Sequence, residues 1–134
     1  MPVLDTSILV AYLLNEPVAN LALEMLTGPA AHAPDIIRLE CGNALINALR
    51  QQRIEASQVL PRLDLVARLP FTEHDHRPYL RRAVELSLDH HRRPYDGIFI
   101  ALAERLETVM ITTDAKLVRG LHGTPLAKRV RLLG

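Results

Sequence analysis

The sequence predicts an α/β domain built on a short, mostly parallel central sheet with helices on both faces. Short apolar runs at Val3–Leu4 and Val109–Thr112 each reach an aspartate within two residues and pass directly into a helical pattern, as a strand does when it feeds a crossover helix. Between them, apolar residues recur at helical spacing and proline and glycine mark the breaks. A chain of 134 residues with one cysteine, Cys41, is the size of one domain, read as 1–134, held by packing and not by disulfides.

Val3–Leu4 is the first strand, and Ser7–Asn15 is the helix it feeds, closed by Glu16-Pro17. Val18–Leu26 is a second helix, stopped at Gly28-Pro29 before an extended segment at Ala31–Ala33. Pro34 takes the first-turn position of the longest helix, Asp35–Gln52, whose Ile36, Ile37, Leu39, Ala44, Leu45, Ala48 and Leu49 keep helical spacing. Ser57–Leu69 is the next helix, with Pro61 near its first turn or bending it, and Pro70–Thr72 is a short strand. Tyr79–Asp89 is amphipathic, whereas Tyr95–Leu106 is apolar around most of its circumference and should be buried. Val109–Thr112 is the clearest strand, and Ala115–Leu121 is the helix that follows its polar turn.

Composition narrows the function. With 49% hydrophobic and 23% charged residues the chain is too apolar for disorder and too evenly charged for a membrane protein. The apolar run Ile8–Leu14 is too short to span a bilayer, and no basic residue precedes it as in a signal peptide, so a cytoplasmic protein with no membrane partner is expected. Residues 1–50 hold two basic and five acidic side chains; residues 115–134 hold Lys116, Arg119, Lys128, Arg129 and Arg131 and no acid. That end reads as a solvated basic tail or a contact for an anionic partner. No GxxxxGK(S/T), GxGxxG or GxSxG segment occurs, which removes the nucleotide-loop and serine-hydrolase readings. His90 and His91 are adjacent, and His74 and His76 have no third ligand nearby in sequence, so the histidines read as surface residues. Five aromatics are too few for a base-stacking platform, which leaves phosphate contacts for any nucleic acid.

The acids carry the chemistry. Asp5 and Asp114 each follow a strand, where ligands of open α/β sheets bind, although either alone would pass for a helix cap. Glu40 lies within the apolar pattern of the longest helix, on one stripe with Asn43 and Asn47, and neither Arg38 nor Arg50 reaches it along that helix. Asp96 sits in the first turn of the most apolar helix. If the four converge, two carboxylates about 5 Å apart repel by about 3 kcal/mol at an effective dielectric near 20, and a divalent cation is the natural compensation. Oxygen-only ligation suits Mg²⁺ or Mn²⁺ acting on a phosphate ester.

The stretches MPVLDTSILVAYLLNE, APDIIRLECGNALINALRQQRI and RRPYDGIFIALAERLETVMITTDAKL resemble the PIN-domain family, particularly VapC-type toxins of bacterial toxin–antitoxin pairs. The resemblance runs to about Leu117. It implies a PIN-like fold and a Mg²⁺- or Mn²⁺-dependent endoribonuclease that leaves a 5′-phosphate and a 3′-hydroxyl without a protein nucleophile. It assigns Asp5, Glu40, Asp96 and Asp114 as the catalytic, metal-binding acids, with Thr6, Asn43 and Thr112 or Thr113 as supporting polar groups; Arg92 and Arg93, immediately before Tyr95-Asp96, read either as RNA phosphate contacts or as a plain surface loop. A homodimer and a cognate antitoxin protein are the implied partners. Gly97 departs from the usual alanine after the Tyr-Asp pair, and no further acid stands at Leu117 or Val118, which leaves the number of ions open. The rival reading is a catalytically silent PIN-fold module that binds RNA or regulates; the presence of all four acids argues against it.

Overall fold

Among the described residues, five short strands, all parallel, form one sheet in the order β3-β2-β1-β4-β5. They are β1 (Val3–Leu4), β2 (His32–Pro34), β3 (Thr72–His74), β4 (Met110–Thr112) and β5 (Val130–Leu132). The helices are α1 (Thr6–Leu13), α2 (Ala19–Leu26), α3 (Ile36–Arg50), α4 (Ala56–Val66), α5 (Leu80–His90), α6 (Pro94–Arg105) and α7 (Ala115–Leu121). The computed structural model describes residues 1–28 and 30–134, without the side chains of Pro94 and Tyr95. Pro29, read above as a helix stop, and the Tyr95 side chain lie outside that description.

Going along the chain, the strands step outward from β1 to β2 and β3, then return to the other side of β1 for β4 and β5. Because parallel crossovers are right-handed, this reversal puts helices on both faces of the sheet. It also opens a crevice between the carboxyl ends of β1 and β4. Two bonds fix the walls there: the Asp5 N–H donates to the Ile111 carbonyl at 3.0 Å, and the Leu133 N–H donates to the Thr112 carbonyl at 2.8 Å.

The core follows the apolar pattern. Val3, Leu4, Met110 and Ile111 are buried in the sheet, and Ile98 through Ala103 bury nearly the whole circumference of α6, as its composition requires. Helices α5 and α6 approach closely at Gly97, where a Cβ would stand 2.7 Å from the Ala83 carbonyl oxygen and 2.8 Å from the Ala83 Cα. Only a residue without a side chain fits this contact, which accounts for glycine after Asp96.

Three expectations need correction. Pro34 ends β2 and is not the first turn of α3. Since the His32 N–H donates toward β1 and the Asp35 N–H toward β3, the nitrogen of Pro34 faces β1, whose pairing with β2 extends only to Val3↔His32, so no donor is needed there. The basic end is not a free tail, because residues 130–132 pair with β4 as the edge strand β5 and Val130 is buried. The strand expected at Pro70–Thr72 lies at Thr72–His74, in register with all of β2. No helix among the described residues is long and apolar enough to cross a membrane.

Candidate active site

Asp5 stands where β1 becomes α1, with extended backbone that caps the helix. Its Oδ1 accepts from the Thr6 N–H at 2.8 Å, and its Oδ2 accepts from the Ser7 hydroxyl at 2.9 Å and the Thr112 hydroxyl at 2.7 Å. The direction of these bonds is set by the backbone. The Thr113 N–H donates to Ser7 Oγ at 2.9 Å and the Asp114 N–H to Thr112 Oγ1 at 3.1 Å. Both hydroxyls therefore accept a hydrogen bond from the main chain and donate their own to the carboxylate. The 3.1 Å Ser7–Thr112 approach follows from the shared acceptor.

Glu40 comes from the middle of α3. The Thr6 hydroxyl donates to its Oε1 at 2.7 Å, so the residue after the helix cap ties α1 to α3. Glu40 lines a hollow of about 290 Å³ together with Thr6, Asn43, Asn47 and Arg93, which confirms the stripe read from the sequence. Asp96 lies in the first turn of α6. Asp114 follows β4 and caps α7, with its Oδ1 accepting from the Leu117 N–H at 3.0 Å.

The four acids share one electrostatic environment. Burial pushes the Asp5 carboxyl above its ordinary range against the pull of its three donors, and the charge of Asp114 adds to the rise. Burial also raises Glu40, with repulsion from Asp5 and Asp96 adding to it. Asp96 is raised by burial and then by Asp5, against the attraction of Arg93 and Arg92. Three partly desolvated, mutually repelling carboxylates beside the exposed Asp114 fit a hard divalent cation. Among the described residues no three of these carboxylates bring oxygens within 4.8 Å of one another.

The supporting residues divide. Thr112, fully buried, is the hydroxyl that reaches Asp5, whereas Thr113 takes part through its N–H. Asn43 lines the hollow beside Glu40. His91, with φ 55°, ends α5 in the left-handed region and turns the chain into the Arg92–Arg93 segment. Arg92 leans on α7 at Gly120, where a Cβ would come within 2.1 Å of its Nη2, and its buried Nε finds no hydrogen-bond partner among the described residues. Ser7 is the residue that sequence reasoning missed. Its signal was available: a hydroxyl two residues after a strand-end aspartate lies within reach of the neighbouring strand end.

Comparison with known proteins agrees with this architecture. The PIN domain family model matches residues 3–120. Ribonuclease VapC12 of Mycobacterium tuberculosis is 32% identical over 123 residues, covering 92% of this chain and 93% of that protein. Ribonuclease VapC1 of the same organism is 28% identical over 118 residues, 86% of each chain. The crystal structure of PAE2754 from Pyrobaculum aerophilum superposes with a TM-score of 0.70 at 21% identity, over 91% of this chain and 80% of that one. A toxin–antitoxin complex from Klebsiella pneumoniae contains a chain that superposes with a TM-score of 0.64 at 20% identity, over 100% of this chain and 97% of its own. From β1 through most of α7 the match is continuous, and the chain belongs to the PIN-domain family.

Proposed function

We propose that this chain is a Mg²⁺- or Mn²⁺-dependent endoribonuclease, the toxin of a toxin–antitoxin pair. The observation that carries the reading is the grouping of Asp5, Glu40, Asp96 and Asp114 around the crevice at the carboxyl ends of β1 and β4, with donors already directed at Asp5. The curated relatives named ribonucleases and the toxin–antitoxin complex support it.

In this reading Asp5, Asp96 and Asp114 hold the ion directly or through water. When bound, the ion supplies charge neutralisation at the scissile phosphate and acidifies a water. Each residue then has a task that its surroundings explain. The Thr6, Ser7 and Thr112 donors keep Asp5 oriented as an acceptor-only carboxylate despite its burial. Glu40, raised by burial and fixed by Thr6, is suited to orient an attacking water and take its proton. Arg93, facing the hollow, offers a phosphate contact, and Arg92 stands beside it. A cognate antitoxin covering the crevice and a second copy of the chain are the proposed partners, the latter tested by sedimentation at two protein concentrations.

The decisive experiment incubates the purified chain with RNA in Mg²⁺, in Mn²⁺ and in EDTA, beside Asp96→Asn. Cleavage should require the ion and the carboxylate. Undiminished cleavage in EDTA would refute the metal mechanism, and RNA binding without cleavage under every condition would favour the silent module.

A further inference from the structure

The carboxyl edge of the sheet carries a second polar cleft, at the ends of β2 and β3, of about 470 Å³ and lined by Asp35, Glu73, His74, Asp75, His76 and Arg77. Residues 73–77 are consecutive, and the main chain brings Asp35 to them across the strand pair. Pro34 pairs with His74, the Asp35 N–H donates to the His74 carbonyl at 2.7 Å, and the His76 N–H donates to Asp35 Oδ1 at 3.1 Å. The third ligand that His76 lacks in the sequence is thereby supplied across the strand pair.

The three side chains lie within mutual reach, and the hydrogen bond between His76 Nδ1 and Asp35 Oδ1 is one that an ion would replace. His76 Nδ1 lies 2.8 Å from Asp35 Oδ1 and 3.9 Å from Asp75 Oδ1, and the three side chains present donor atoms within 4.8 Å of one another. Ligand bonds of about 2.0–2.2 Å set two donors about 3.0 Å apart at a right angle and about 3.4 Å apart at the tetrahedral angle. One pair is already at that range, and the other needs a shift of about half an ångström. An imidazole with two carboxylates favours a borderline transition metal of the zinc class over Mg²⁺. The crevice around Asp5, in contrast, offers oxygen alone.

We propose that Asp35, Asp75 and His76 form a second cation site, for a divalent transition metal of the zinc class, separate from the carboxylate crevice and independent of the ribonuclease reading. His76 Nδ1 would coordinate as the unprotonated nitrogen, with the proton on Nε2, and water would complete the sphere. The present competitor is Arg77, which donates to Asp75 through its N–H at 2.9 Å and its guanidinium at 2.5–3.0 Å. Its side chain is 81% exposed, and such a surface pair is weak enough to yield. His74 lines the cleft, but its Nε2 faces His32 Nδ1 at 2.8 Å, which leaves it a neighbour of the site. An ion here would tie the edge strand β3 to the residue preceding α3, the helix that carries Glu40.

The test titrates Co²⁺ into the purified chain in millimolar Mg²⁺, which occupies oxygen-only sites, and follows the visible absorption of cobalt bound to nitrogen below six-coordination. One equivalent should bind and be displaced by Zn²⁺. Asp75→Asn with His76→Gln should weaken binding about a hundredfold or more, while His32→Gln with His74→Gln should leave it intact. Arg77→Ala should tighten binding by freeing Asp75, a gain that misfolding cannot imitate. A parent without the cobalt band, a band that survives the Asp75/His76 change, a band lost in the His32/His74 variant, or affinity unmoved by Arg77→Ala would each overturn the proposal.

Discussion

Replacing Thr112 with valine asks whether the donor chain on Asp5 carries energy or is only a by-product of close strands. The change keeps the shape of a fully buried side chain and deletes one hydroxyl. Lost is the 2.7 Å bond to the Asp5 carboxylate, of a class worth about 1.5–3 kcal/mol. The Asp114 N–H also loses its acceptor, but Asp114 is exposed and water can replace it. The added methyl returns about 0.8 kcal/mol by burial. The net loss should be about 1–2 kcal/mol at neutral pH in EDTA. For a domain of this size, with an unfolding entropy of about 0.28 kcal/mol/K, that lowers the thermal midpoint by roughly 4–7 °C. In an Asp5→Ala background the acceptor is gone, and the same change should be neutral or slightly stabilising, so its sign reverses. The loss should also shrink as pH falls through the raised Asp5 pKa, because a hydroxyl bond to the neutral acid is worth about 0.5–1.5 kcal/mol. Equal costs of Thr112→Val in both backgrounds would refute the reasoning.

Asp96→Asn should raise the midpoint in EDTA at neutral pH: burial and Asp5 raise the Asp96 pKa, so this carboxyl favours the folded state when protonated and its contribution is lost as pH rises through the folded value. By the same sign, metal-free parent should gain stability from Asp5, Glu40 and Asp96 as pH is lowered from neutrality toward about 4; a midpoint that falls in the Asn variant would contradict the crowding. Mg²⁺ at about 100 times its dissociation constant should stabilise the parent by about 2.7 kcal/mol, roughly 10 °C, and Asp96→Asn by much less, as calorimetry would show. Gly97→Ala should cost about 1–3 kcal/mol by pressing on Ala83. A neutral result in urea unfolding would mean that α5 and α6 separate easily.

What was legible in the sequence is what local chemistry decides. The junctions from β1 to α1 and from β4 to α7, and the Glu40–Asn43–Asn47 stripe, each lie within one or two turns of chain and appear where the pattern put them. Non-local pairing was not legible. Strand β5 has three residues inside a basic stretch, and only its register with β4 distinguishes it from a tail. Thr112 and Thr113 are equivalent in composition; which one reaches Asp5 is settled by the pleat of β4, which turns the Thr112 side chain inward. Of the partners of His76, Asp75 is its neighbour in sequence, but Asp35 is 41 positions away across a strand pair and carries no local signal.

The tripeptide Asp5-Thr6-Ser7 explains how a site drawn from four separate elements is held together. Each residue bonds in a different direction: Asp5 caps its own helix, Thr6 reaches Glu40 on α3, and Ser7 reaches the Thr113 N–H and Thr112 at the end of β4. Three consecutive side chains at one strand-to-helix junction thus hold α1, α3 and β4 in fixed relation. The arrangement opposes the repulsion among the acids it assembles. Donors directed at Asp5 lower the cost of its charge, while burial and the neighbouring carboxylates raise that cost further than the donors reduce it, since the net shift is upward. The donors therefore determine where the carboxylates stand, and the remaining electrostatic penalty is what a cation would relieve on entering. A site organised in this way gains its geometry from hydroxyls and its affinity from charge, so removing a hydroxyl should disturb placement and removing an acid should abolish ion binding.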